Sequence, residues 1–387
     1  MGADNSLVLL RKTRFLEYIR KNNLDGLVLS RIENVRYISG FKPVVSLWFR
    51  DAYWAILGED GETHLVVSVG DYERTRRRMP NVSISKLLSS RKLEIVASGI
   101  KDVIGSSGKI GFDSLEFAEC NELKKKLPRV NFHWVSGELA KIRSVKLPEE
   151  LTVIAKGAKI TEKAVEAAVK NARDGIKECA LAGLAEYEAR ALGSEGVSWS
   201  LATFAGVNAG IFTRNDSERK MKRGEFLIMG YATMYKGYNT DITATTVVGE
   251  SPTKTQKNTY EAVYDSYKIG LSMAKPGAST KKISDRVARV IEDHGIDRRY
   301  SFASNVPLIH GIGMNVYEAP FSPDPGLSQP DHKLVRGHVL AIEPSVAYSD
   351  KPRLGGVRLG ETITITNDKP QVIGQIPAHS ISIFSKK

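Results

Sequence analysis

The stretch from Phe226 to Glu250 constrains the fold more than any other part of the 387-residue chain. Its first residues, FLIM, are apolar and predict a short buried strand. The turn sequence Tyr-Lys-Gly-Tyr and the β-branched residues after it predict a return strand. Asp241 then falls inside that second strand, where a lone acid is more often a turn or strand-end residue than a ligand. The stretch therefore predicts a β-hairpin that carries one carboxylate.

Three later fragments extend the pattern, and they are His310-Gly-Ile-Gly, Ala341-Ile-Glu343-Pro and Gly355-Gly-Val-Arg358. In this order and at these separations, the hairpin and the fragments resemble the carboxy-terminal domain of the pita-bread metallopeptidases. That family includes methionine aminopeptidase, Xaa-Pro aminopeptidase, prolidase and the metal-free creatinase. The segment Asn34-x-x-Tyr37-x-x-Gly40-Phe41 also resembles the amino-terminal domain of prolidases and creatinase. The resemblance covers almost the whole chain.

The predicted elements agree with a two-domain organisation. Strands alternate with helices in the first part of the chain, which favours an α/β layer. Pro148-Glu-Glu starts a long helix, so we place the domain boundary near residues 136–147. The resemblance implies an α/β amino-terminal domain over residues 1–140, with a mixed sheet and flanking helices. It implies an α+β pita-bread domain over residues 141–387.

Hydrophobic periodicity, together with capping, glycine and proline residues at the ends of segments, predicts the individual elements. Helices are expected over residues 6–22, from residue 148 onward, and over 178–192, 254–274 and 279–294. Strands are expected over residues 27–29, 52–57, 64–69, 109–112, 130–135, 198–205 and 362–366. The residues from Pro320 to Pro330 predict a proline-rich loop, either at the entrance of a pocket or at the plain surface.

The resemblance also implies a metal site with five ligands, and three of them are matched here by Asp241, His310 and Glu343. Gly230 and Gly360 stand at the other two positions. Three protein ligands and an open position suffice for one catalytic metal. We therefore expect at most one divalent ion (manganese, cobalt, zinc or iron) rather than a dinuclear centre. Glu361, beside Gly360, should face away because side chains alternate along a strand.

Two alternatives to a metal-dependent hydrolase remain open. In the first, His310 flanked by Asp241 and Glu343 forms an acid/base group, because nearby carboxylates raise the pKa of a histidine and orient its ring. In the second, a catalytically inactive pita-bread homologue binds a peptide or another partner, and the same side chains form a structural network. The resemblance and the residue types imply a set of substrate-binding candidates: Arg358, Tyr317, Thr213, Arg50 and His379.

Composition limits the possible partners. The net charge is +12, but the basic clusters at residues 74–78, 124–126 and 219–223 have no interleaved aromatic residues, so specific nucleic-acid binding is not expected. Apolar runs are too short to span a bilayer, and the N-terminus lacks the pattern of a signal peptide. Two distant cysteines indicate a reducing compartment, so we expect a cytoplasmic protein that does not bind membranes.

These observations predict a divergent relative of the Xaa-Pro dipeptidases and creatinase. We expect it to hydrolyse a C–N bond in a small amide or dipeptide-like substrate, with one metal or none. The resemblance further implies a homodimer, in which Arg50 would reach the pocket of the partner. The alternative is the inactive homologue that binds a peptide or another partner without turnover.

Overall fold

The computed structural model describes residues 2–43, 53–198, 202–211, 217–301, 307–323 and 330–376. The chain divides into two compact units, Met1–Arg143 and Ser144–Lys387. None of the helices in these described ranges is both long and apolar enough to cross a bilayer.

A mixed sheet forms the centre of the first unit. Its described strands are β1 (Gly26–Leu29), β2 (Trp54–Gly58), β3 (Thr63–Ser68), β4 (Ser83–Leu87), β5 (Ser107–Phe112) and β6 (Arg129–Trp134). They lie in the order β4-β3-β2-β1-β5-β6. β2 is antiparallel to both of its neighbours, whereas the remaining pairs are parallel. β1 and β2 are buried along their whole length, as expected for strands that are covered on both faces.

Helices pack around this sheet. Those described in the first unit are α1 (Gly2–Lys21), α2 (Ile32–Ser39), α3 (Val69–Arg78), α4 (Lys92–Val103), α5 (Phe117–Lys126) and α6 (Ser136–Ser144). The core joins β-branched and aromatic strand residues to the apolar face of α4, for example Trp54, Ile56 and Ile100. The basic clusters at residues 74–78 and 124–126 form the last turns of α3 and α5, where positive charge interacts favourably with the helix dipole.

The second unit is organised around the predicted hairpin, whose strands are β9 (Phe226–Tyr235) and β10 (Tyr238–Val247). Lys236 and Gly237 connect the strands with φ of 48° and 83°. Two consecutive positive φ values are typical of the type I′ turn, whose twist matches that of an antiparallel hairpin. The strands β7 (Gly196–Val197) and β8 (Ala202–Ala205) pair with β9.

A second antiparallel sheet of this unit has the order β12-β11-β13-β16-β17. Its strands are β11 (Ile309–Gly311), β12 (Glu318–Phe321), β13 (Val339–Ile342), β16 (Thr362–Thr364) and β17 (Gln371–Gly374), while β14 (Ser345–Ala347) pairs with β15 (Gly356–Arg358). A backbone bridge between Thr243 and Gly360 connects the hairpin to the chain just before β16. This bridge joins the strand that carries Asp241 to the segment that follows Arg358.

Helices cover these sheets. They are α7 (Pro148–Asn171), α8 (Glu178–Ala191), α9 (Val207–Ile211), α10 (Lys254–Met273) and α11 (Thr280–Asp293). α7 packs against both strands of the hairpin, and its first turn is capped by Glu150, which accepts a hydrogen bond from the backbone N–H of Leu147 at 2.8 Å. The fold thus combines an α/β unit with an α+β unit, as the sequence predicted.

Candidate functional site

Three buried acidic and imidazole side chains meet inside the second unit. Asp241 lies in β10, His310 lies in β11, and Glu343 directly follows β13. One potential ligand atom from each side chain lies within 4.8 Å of the other two. The residues come from distant parts of the chain, so the site exists only because the hairpin and the second sheet pack together.

His310 is held by the segment that leads into β12. Its Nδ1 lies 3.0 Å from the backbone carbonyl oxygen of Val316, which can only accept a hydrogen bond, so Nδ1 carries the proton. The ring of Tyr317 packs against the imidazole, with 4.3 Å between the ring centroids. Nε2 then faces two carboxylates, 3.3 Å from Glu343 Oε2 and 3.9 Å from Asp241 Oδ2.

Glu343 is an anion with several partners. Thr243 donates its hydroxyl hydrogen to Oε1 at 2.9 Å, and Arg358 donates from Nη2 to Oε2 at 2.5 Å. Burial alone would raise the pKa of Glu343, but the positive charge of Arg358 and the contact with His310 outweigh it and lower the pKa. Glu343 therefore stays ionised although it is buried.

Asp241 is in the opposite situation. Its side chain is buried, and neither carboxylate oxygen has a hydrogen-bond partner among the described residues. Burial, and then the negative charge of Glu343, raise the pKa of Asp241. A buried carboxylate without partners is costly, and such a group needs a proton or a cation.

The donor set fits a divalent cation. With Nδ1 hydrogen-bonded to Val316, Nε2 is the ring nitrogen that faces the two carboxylates and could bind a cation held between them. Two carboxylates and one imidazole are ligands that manganese, cobalt, zinc and iron accept. A bound cation would give the carboxylate of Asp241 the partner that it lacks among the described residues. His310 would bind the same cation through Nε2.

Comparison with protein families agrees with this geometry. The family described as metallopeptidase family M24 matches residues 152–367, and the creatinase/prolidase N-terminal domain matches residues 11–145. The chain belongs to metallopeptidase family M24. The family contains metallopeptidases, and the predicted recognition of the pita-bread family is confirmed.

Individual relatives align with this M24 chain over nearly their full length. The Xaa-Pro dipeptidase of Pyrococcus horikoshii is 31% identical over 357 residues, which are 92% of this chain and 94% of the relative. The crystal structure of the prolidase from the same organism superposes with a TM-score of 0.79 at 28% identity, over 95% of this chain and 98% of that one. The X-Pro aminopeptidase from Thermotoga maritima has a TM-score of 0.82 at 20% identity, with 95% and 98% covered, which shows the same fold.

Gly230 and Gly360, which the sequence resemblance predicts to stand at two ligand positions, both lie beside residues of the site in this M24 chain. A Cβ on Gly230 would lie 3.0 Å from Thr243 Oγ1 and 3.4 Å from the Cβ of Ala202. A Cβ on Gly360 would lie 2.7 Å from Glu343 Cγ. Side chains at both positions would thus point towards Thr243 or Glu343.

Glu361 does not take the place of the missing ligand. Its Oε2 accepts a short hydrogen bond from the hydroxyl of Tyr267, and its Oε1 accepts one from the backbone N–H of Ile376 at 2.7 Å. The side chain is buried, and both of its carboxylate oxygens are engaged by groups that do not belong to the three-residue site. Strand alternation predicted that Glu361 would face away from that site.

The structure places two of the substrate-binding candidates at the site. Arg358 contacts Glu343, and Tyr317 packs against His310. The other three candidates lie outside the described residues: Thr213, Arg50 and His379. Most of the predicted loop from Pro320 to Pro330 also lies outside them. The roles of all five residues stay predictions.

Two further groups organise the site and were not among the predicted site residues. Thr243 lies two residues after Asp241, on the same face of β10, and the period of a strand could have indicated this. The carbonyl of Val316, which sets the tautomer of His310, belongs to the backbone. No side-chain pattern could have identified it.

Proposed function

We propose that this chain is a hydrolase of the Xaa-Pro dipeptidase class that cleaves the C–N bond of a small dipeptide-like substrate with at most one divalent cation. Asp241, His310 and Glu343 would hold that cation. The observation that carries the proposal is the buried carboxylate of Asp241, whose oxygens have no hydrogen-bond partner among the described residues and face His310 Nε2. The relatives named Xaa-Pro dipeptidases support the substrate class.

The residues around the proposed cation site have separate roles. A bound divalent cation supplies a Lewis acid and lowers the pKa of a bound water. Val316 and Tyr317 hold His310 in one tautomer and orientation, so that only Nε2 is available to the centre of the site. Glu343 remains ionised and contributes negative charge, because Thr243 and Arg358 keep it in place.

Arg358 would bind the substrate. Its Nη2 donates to Glu343, while its Nε is buried and has no acceptor among the described residues. The carboxylate of a dipeptide would supply that acceptor through a charge-assisted hydrogen bond. Loss of such a bond costs about 1.5–3 kcal/mol, so we expect Arg358→Gln to raise KM for a dipeptide by about 10-fold or more.

The second candidate is an inactive homologue that binds a peptide or another partner. It is favoured by the way Arg358, Thr243 and His310 already contact Glu343, since one potential ligand is thereby engaged without a cation. In that case the substitutions at positions 230 and 360 reflect a site that no longer needs its full ligand set. Peptide binding without product at any metal loading is the behaviour expected of this candidate.

The proposal is tested first by metal content. After dialysis against a chelator, the protein is exposed in turn to manganese, cobalt, zinc and iron, and bound metal is measured per chain. We expect a ratio near one for the wild type and near zero for Asp241→Asn and His310→Ala. Asp285→Asn, which changes an exposed acid on α11, is the matched control and should leave the ratio unchanged. A ratio near two in the wild type would contradict a site for one cation.

Turnover separates the two candidates. The metal-loaded protein is incubated with a panel of Xaa-Pro dipeptides and with small amides, and free amino acids are quantified. Product that disappears in His310→Ala, while circular dichroism stays unchanged, supports the hydrolase. Saturable peptide binding by calorimetry with no product would reject it in favour of the inactive homologue.

A further inference from the structure

We propose that the buried ion pair between Lys146 and Glu318 is a positioning device for His310. The pair lies outside the ligand set and fixes the segment that orients the imidazole. Its effect on metal binding rests on the proposed one-cation site, whereas its effect on the orientation of His310 does not.

The pair is almost completely withdrawn from solvent. Lys146 Nζ lies 2.7 Å from Glu318 Oε1, and the two side chains are 1% and 5% exposed. Lys146 also donates from Nζ to the backbone carbonyl of Ser144 at 3.1 Å, and its own N–H donates to the carbonyl of Gly337 at 2.8 Å. Lys146 is therefore anchored at both its backbone and its side chain.

The anchor acts on His310 through three consecutive residues. Val316 accepts the hydrogen bond from His310 Nδ1, Tyr317 packs on the imidazole ring, and Glu318 pairs with Lys146. The position of the carbonyl of Val316 therefore depends on where Glu318 is held. If this segment moved, the imidazole would lose the acceptor that fixes its tautomer.

Gly313 of the His-Gly-Ile-Gly motif lies against the same ion pair. A Cβ on Gly313 would lie 2.3 Å from Glu318 Oε1 and 3.0 Å from Lys146 Cε, so the loop backbone lies directly against the ion pair. On its other side, the carbonyl of Gly313 accepts hydrogen bonds from the backbone N–H and the Nδ2 of Asn239, at 2.7 and 3.0 Å. The loop after His310 is thus held between the ion pair and the hairpin that carries Asp241.

A buried ion pair is weak evidence for stability. Removing two charges from water can cost as much free energy as their attraction returns, and apolar replacements are often equally stable. A pair of fixed length and direction does, however, specify a single position for the segment that it joins. When the interactions that orient a metal-binding histidine are removed, metal affinity typically falls by about 10–100-fold.

The test replaces both charges at once, because a single replacement would leave one buried charge unpaired. Lys146→Met/Glu318→Met is compared with Lys281→Met/Asp285→Met, which removes an exposed pair on α11 with the same 2.7 Å separation. Two properties are measured: the ¹⁵N spectrum of the His310 ring in metal-free protein at fixed pH, assigned with His310→Ala, and the affinity for cobalt.

In the wild type we expect a protected proton on His310 Nδ1. In Lys146→Met/Glu318→Met we expect that signal to give way to a mixture of tautomers, with unfolding free energy close to that of the wild type and cobalt affinity lower by about 10-fold or more. The exposed control pair should change neither property. An unchanged ring spectrum in the folded buried-pair variant would overturn the inference.

A wild type that binds no cobalt would reject the one-cation site, and the ring spectrum would still decide the role of the pair. Should the double variant fail to fold, Glu318→Asp provides the same test. It keeps the charge but withdraws the carboxylate by one methylene, so a positioning role predicts a disturbed His310 spectrum. A spectrum identical to that of the wild type would contradict the positioning role.

Discussion

The carboxylate of Glu343 occupies the space that a side chain on Gly360 would need. A Cβ at position 360 would lie 2.7 Å from Glu343 Cγ and 2.8 Å from Oε1, distances at which atoms overlap. Glu343 reaches this position through its hydrogen bonds with Thr243 and Arg358. The absence of a side chain at 360 and the placement of Glu343 are therefore parts of one arrangement.

This relationship predicts that Gly360→Ala displaces Glu343 from its partners. Forcing extra volume into a packed site typically costs about 1–3 kcal/mol, and we expect that loss in the free energy of unfolding measured with urea. Gly183→Ala is the control, because the Cβ would meet nothing within 4 Å and the substitution favours the helix by about 1 kcal/mol. Equal effects of the two substitutions would contradict the overlap.

Restoring the two absent side chains should change the number of metals. Gly230→Asp with Gly360→Glu places carboxylates on either side of Thr243, and the new residue at 360 also moves Glu343 away from Arg358. We predict that the metal content rises from one to two ions per chain in manganese or cobalt. A folded double variant with unchanged metal content would show that these positions do not correspond to the family ligands.

Asp241 and Glu343 should respond in opposite directions when their charges are removed. In metal-free protein, Asp241→Asn removes a buried charge that lacks hydrogen-bond partners among the described residues, so the variant should unfold at a higher temperature than the wild type. Glu343→Gln leaves Arg358 buried beside a neutral group, which costs about 3 kcal/mol, so it should unfold at a lower temperature. Added manganese should stabilise only the wild type. A lower Tm for metal-free Asp241→Asn would contradict this account of Asp241.

Several parts of this arrangement could be predicted from the sequence because they are local or have a characteristic spacing. The hairpin follows from an apolar strand, a Lys-Gly turn and a β-branched return strand, and the structure has its turn at Lys236 and Gly237. The spacing of the motifs identified the family, and the structure brings Asp241, His310 and Glu343 to one point. Burial of whole strands in the first unit likewise follows from their apolar composition.

The contacts between these parts could not be predicted in the same way. Arg358 reaches Glu343 only after β14 and β15 fold back on each other, and nothing in the sequence around either residue indicates that contact. Lys146 and Glu318 are 172 positions apart in the chain, and each would be read as a solvated surface charge. Such pairs depend on the packing of whole elements, which a single sequence does not specify.

The lowered pKa of His338, a buried histidine that is not among the candidate ligands, can be tested through the pH dependence of stability. Its side chain is buried, with Nε2 3.4 Å from Ser144 Oγ, and its Nδ1 accepts a hydrogen bond from the N–H of Val335 at 3.3 Å. Burial, and then the positive charges of Lys146 and His332, lower the pKa of His338 from 6.5 to about 4. The folded state therefore binds this proton less tightly than the unfolded state does.

Since the unfolded protein takes up the proton first, the stability contributed by neutral His338 is complete above pH 6.5 and is lost as the pH falls towards 4. We predict that this residue alone costs the wild type about 2 kcal/mol of unfolding free energy between pH 7 and pH 5. His338→Gln keeps a donor and an acceptor but does not titrate, so it should lose correspondingly less. Urea unfolding of both proteins at the two pH values measures the difference. Parallel losses would mean that His338 binds its proton equally well in the folded and unfolded states, which its burial beside Lys146 argues against.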